Sequence, residues 1–177
     1  LPWGHDPVAD EARAREVIRA KSARYSVEHP LALGATLAGA DDAAVARTRA
    51  AGLPLGEAFQ LRDDLLGVFG EPAATGKPAG DDLREGKRTV LVARAMRTAE
   101  AADRDLVAGH LGRRDLAVED VEELRAALRR SGAVGAVEAL IDELSGPALA
   151  ALADAPLVEP GRSMLVALGT AVVHRQA

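Results

Sequence analysis

The sequence predicts an all-α fold, a helical bundle, on three observations. Apolar residues recur at helical spacing, no stretch alternates convincingly as a strand does, and Gly or Pro marks most of the boundaries between periodic segments. The 177 residues are 48% hydrophobic, mostly Ala, Leu and Val, which suits a core built from packed helices.

The elements follow in order. Val8, Ala12, Val17, Ile18 and Tyr25 fall near helical spacing after Asp6-Pro7, predicting a helix over 8–26. His29-Pro30 is expected to end it, because proline disfavours helical geometry in the residue before it. The nearly all-apolar stretch 31–40 predicts a short buried helix, with Gly34 and Gly39 allowing close packing. Asp41 is placed to cap a long helix over 41–69, with a kink expected near Pro54. Residues 70–87, rich in Gly, Pro and Asp, read as a long loop. Four helices follow at about 89–102, 119–131, 133–153 and 159–174. No repeat or polar linker divides the chain, so residues 1–177 are expected to form a single unit.

Composition excludes several functions. A formal charge of −5 with scattered basic residues gives no attraction to nucleic acid. The chain has no Cys, hence no disulfide framework and no thiolate metal site, and its four His form no zinc-protease pattern. No apolar run reaches the ~18 residues needed to span a bilayer, and the opening segment lacks the features of a signal peptide, so a cytoplasmic protein is expected. Leu1 in place of an initiator Met suggests part of a longer polypeptide.

The chemistry concentrates in a few places. Asp63 and Asp64 are adjacent acids inside the long helix, where they repel each other unless a cation neutralises them. Gln60 lies one helical turn earlier and lines the same face. Hard oxygen ligands of this kind suit Mg2+, although a solvated surface pair is the plainer reading of any isolated Asp-Asp, and Asp41-Asp42 is expected to be one. The chain has nineteen Arg but only three Lys: Lys21, Lys77 and Lys87. Each alone reads as a surface residue, but Lys77 and Lys87 both follow the Asp pair beside glycines, where ammonium groups and backbone N–H groups can meet phosphate oxygens. Gly80-Asp81-Asp82-Leu83 adds another acid pair, readable as a turn or a cap.

Three ordered blocks, K-S-A-R-Y-S at 21–26, F-Q-L-R-D-D-L-L-G at 59–67 and G-K-P-A-G-D-D-L-R-E-G-K-R-T at 76–89, resemble the trans-isoprenyl (polyprenyl) diphosphate synthases, the family of farnesyl and geranylgeranyl diphosphate synthases. The resemblance covers essentially the whole chain as the C-terminal half of such an enzyme. It implies a Mg2+-dependent prenyltransferase that condenses isopentenyl diphosphate with an allylic diphosphate, a homodimer when full length. It implies that Asp63 and Asp64 bind metal and that Lys21, Lys77 and Lys87 contact diphosphate. Gln60 and the Lys21-Ser22 backbone would stabilise developing positive charge, Phe59 would line the homoallylic pocket, and Asp81 would stand behind these residues. The family's second acidic motif is D-D-x-x-D, and its third acid is Gly67 here. The first acidic motif, which also lies near the determinants of product length, has no match in residues 1–177. A non-catalytic or regulatory truncated subunit is the alternative, and a terpene-cyclase-like protein a further one, disfavoured because so few aromatic residues are present to surround a carbocation.

Overall fold

The computed structural model describes residues 7–71 and 80–175, and among them the regular secondary structure is entirely helical. In chain order the elements are α1 (Pro7–Ile18), a π-helical segment (Arg19–Glu28), α2 (His29–Leu37), α3 (Asp42–Phe69), α4 (Asp81–Glu85), α5 (Val90–Thr98), α6 (Ala101–His110), α7 (Val118–Arg130), α8 (Ala133–Ala153) and α9 (Gly161–Val173). The described residues divide into two units, one formed by residues 7–15, 63–71 and 80–138, the other by Glu16–Arg62 and Ala139–Arg175.

In the second unit the core is Ile18, Ala23, Ala32, Leu55, Ala58 and Leu61, with Ile141, Leu152 and Val173 from the later helices. Its organising feature is the seating of the π-helical segment on α3. A Cβ at Gly56 would lie 2.7 Å from the Ala23 Cα, and one at Gly52 would lie 2.9 Å from the Glu28 Cα, so two bare positions one turn apart let the backbones touch. Ion pairs fix both ends of this contact. The Arg19 guanidinium donates to buried Glu57 at 2.8 Å, and Arg49 donates to Glu28 at 3.0 Å.

In the first unit the buried core comprises Leu65 and Val68 of α3, Leu83 of α4, Val90, Leu91 and Val92 of α5, and Val121, Leu124 and Leu128 of α7. The C-terminal end of α3 carries carbonyls with no intrahelical partner. Arg125 of α7 serves one of them, donating from Nε to the Val68 carbonyl at 2.7 Å, while Arg129 stacks over Phe69 at 4.7 Å.

Several expectations need correction. His29-Pro30 does not break the chain: the π-helical segment runs directly into α2, and Pro30 falls in its first turn, where a missing N–H costs little. Within α2, Ala32 is buried but Leu33 and Leu37 are exposed, so this is not a buried helix. Nothing packs within 4 Å of a Cβ at Gly34 or Gly39; in this unit Gly52 and Gly56 are instead approached by another backbone. Asp41 does cap α3, accepting from the Ala44 N–H at 2.7 Å, and the helix continues through Pro54. The expected loop contains α4, held between Gly80 and Gly86, whose φ values of 68° and 71° are costly for any residue with a Cβ. The predicted helix 89–102 stops at Thr98, and α6, in which Val107 is buried, had no apolar periodicity to announce it.

Candidate functional site

Each unit carries part of the candidate set. In the second, Lys21 and Ser22 lie on the π-helical segment, Lys21 exposed and Ser22 half-buried. Their backbone is fixed by the contact of Ala23 with Gly56 described above. Phe59 and Gln60 are half-buried on α3, one turn beyond Gly56, and the Arg175 guanidinium lies 5.7 Å from the centre of the Phe59 ring. Arg62 ties α3 to the end of α9 by donating to the Val173 carbonyl at 2.8 Å.

In the first unit Asp63 is half-buried and Asp64 buried, both on the last turns of α3 that Arg125 and Arg129 hold in place. Lys77 lies outside the described residues. Lys87 follows α4, and α4 is anchored from both sides. The Leu83 carbonyl accepts from the Gly112 N–H at 2.8 Å, and Arg84 donates to the Leu116 carbonyl at 3.0 Å.

The partner of Lys87 is Asp82, a residue the sequence did not single out from Asp81. Asp82 is 5% exposed, and its carboxylate accepts from the Lys87 ammonium. The Lys87 N–H donates to the Asp82 carbonyl at 3.0 Å, so side chain and backbone are both tied. Glu85 stands 3.2 Å from the same ammonium. Partial burial by itself pushes the Lys87 pKa down, but the hydrogen bond and charge of Asp82, with Glu85, outweigh it and raise it above the ordinary 10.5. Asp81, half-buried, was expected in the supporting role; nothing in the pattern of two adjacent acids tells which one turns inward.

Among the described residues no group of three or more His, Cys, Asp or Glu is arranged to hold a metal ion. Asp63 and Asp64 are nevertheless a suitable donor set for Mg2+, which is commonly held by one or two carboxylates and completes its shell with water and phosphate oxygens. A separate cavity of about 1270 Å3 within the second unit is lined by Leu31, Ala35, Ala51, Pro147, Ala151 and other residues, and none of the described candidate residues lines it. Its wall is largely apolar, with Asp41, Arg47, Glu143 and Asp154 also lining it.

Comparison with known proteins decides the family: the model of the polyprenyl synthetases matches residues 1–128, which include every candidate residue from Lys21 to Lys87. The chain belongs to the polyprenyl synthetase family. Among the relatives of this chain, the geranylgeranyl diphosphate synthase of Mycobacterium tuberculosis is 40% identical over 124 residues, which is 70% of this chain and 35% of that one. A crystal structure of geranylgeranyl pyrophosphate synthase from Corynebacterium glutamicum, complexed with isoprenyl diphosphate and magnesium, superposes with a TM-score of 0.89 at 40% identity, covering 94% of this chain and 47% of that one. The polyprenyl synthase of Caulobacter crescentus, complexed with calcium and isoprenyl diphosphate, gives 0.82 at 34% identity, over 97% and 52%. The chain thus spans about a third of this curated relative and about half of these solved structures. No helix among its described residues is long and apolar enough to cross a membrane.

Proposed function

We propose that this chain forms the second half of the active site of a trans-prenyl diphosphate synthase, which joins isopentenyl diphosphate to an allylic diphosphate and releases diphosphate. One observation carries the reading: the family match spans the acid pair and all three lysines, residues this Arg-rich chain has no compositional reason to place there.

Asp63 and Asp64 are the residues that would hold Mg2+, and the bound ion would neutralise charge on the leaving diphosphate. The Lys87 ammonium, held by Asp82 and Glu85, donates to diphosphate oxygens, as do Lys21 and Lys77. These charges favour breaking of the allylic C–O bond, whose electron pair leaves with diphosphate. The double bond of isopentenyl diphosphate then forms the new C–C bond, and loss of a proton, accepted by the released diphosphate, restores an alkene. In this reading the Gln60 amide oxygen and the Lys21-Ser22 backbone would stabilise the positive charge that develops on carbon, Phe59 would belong to the homoallylic substrate's pocket, and Asp81 would have a supporting role. Homodimeric assembly and a cytoplasmic location accompany this reading.

The test is magnesium-dependent incorporation of isopentenyl diphosphate into an allylic diphosphate by the natural polypeptide containing this chain. Asp63→Ala and Lys77→Ala are each expected to lower turnover by roughly a hundredfold or more. Unchanged turnover in either variant means that the residue is misassigned.

A further inference from the structure

Gly67 occupies the position of the third acid in D-D-x-x-D, and the structure shows what stands in the space its missing side chain leaves. A Cβ built on Gly67 would fall 2.5 Å from the Asp82 Cγ and 2.9 Å from its Oδ1. That carboxylate is not a free end that can swing aside. Asp82 is buried, its Oδ1 accepts from Lys87, and its backbone carbonyl accepts from the Lys87 N–H. Leu83, the next residue, is 1% exposed and bonded to Gly112, so α4 has little room to retreat.

We propose that Gly67 is a seat for Asp82, and that Asp82, so seated, is the positioning residue for the Lys87 ammonium. The bare α-carbon and the inward carboxylate are one device: a side chain at 67 displaces Asp82 and releases Lys87. Restoring the acid that the family motif has at this position therefore weakens the site instead of completing it. The seat itself rests on geometry alone, and its consequence for diphosphate rests on the reading of Lys87 given above.

The seat is tested by thermal unfolding of the chain in a double-mutant cycle. Gly67→Ala is expected to lower Tm in the parent, where it collides with Asp82. In an Asp82→Ala background the same change raises Tm by about 2–4 °C, as expected for Gly→Ala in a helix interior. An equal effect in both backgrounds overturns the seat.

The positioning role is tested by calorimetric titration with inorganic diphosphate in Mg2+. Gly67→Asp, and Asp82→Asn, which keeps the shape of the carboxylate and lacks its charge, are each expected to weaken binding on the order of tenfold. Asp82→Asn does so while losing only the modest Tm expected for one half-exposed ion pair and staying fully folded at the titration temperature, an outcome that loss of the fold cannot produce. Gly67→Asp binding diphosphate as tightly as the parent overturns the positioning role. Failure of the parent to bind diphosphate overturns the assignment of Lys87 to it, and the cycle still decides the seat.

Discussion

Lys87 shows how one residue's role depends on neighbours the sequence ranks equally. Its folded pKa is raised, so the stability it gains from Asp82 and Glu85 is fully present below the unfolded value near 10.5 and is lost as pH rises through the higher folded value. The difference in urea midpoint between the parent and Asp82→Asn is accordingly expected to be constant up to about pH 10 and to shrink above about pH 10.5. A difference that grows with pH would contradict the pairing. The sequence pointed to Lys87 through its rarity among nineteen Arg, whereas the choice between Asp81 and Asp82 was not legible. Which acid turns inward is set by the αL glycines that fix the rotation of the five-residue α4, and by Val121, 2.5 Å from where a Cβ on Gly80 would stand.

Among the elements, the π-helical segment and α3 make the most demanding contact, because backbone meets backbone at Gly52 and Gly56. Gly56→Val is expected to destabilise the chain by at least about 1–3 kcal/mol, since the atoms it meets belong to the Ala23 main chain and cannot rotate away. Gly34→Ala, with nothing within 4 Å, is expected to be neutral or to stabilise by up to about 1 kcal/mol. Denaturant midpoints of the two variants check the contrast, and equal losses would show that the contact is misplaced. Sequence reading assigned close packing to Gly34 and Gly39 because their neighbours are apolar. Local hydrophobicity does not say which face of a helix another backbone will reach, and that depends on residues such as Ala23 and Glu28, far in sequence from the Gly56 and Gly52 they meet.

At the scale of the whole molecule, each unit has its own apolar core, while Tyr25, Leu33 and Leu37 of the second unit are 77%, 60% and 80% exposed. In the 177-residue chain, Leu33→Gln and Leu37→Gln are therefore each expected to change stability by no more than about 0.5 kcal/mol. A loss of several kcal/mol would show that these side chains are buried. The sequence by itself determined the helical class, the long capped α3, the acid pair and the unusual lysines, because periodicity, capping and residue chemistry act over a few neighbouring positions. Tertiary structure alone decided that Pro30 continues a helix, that α2 is exposed, and that Asp82 fills the space beside Gly67 to hold Lys87. Those outcomes depend on what packs against each residue from distant parts of the chain, and no local pattern carries that information.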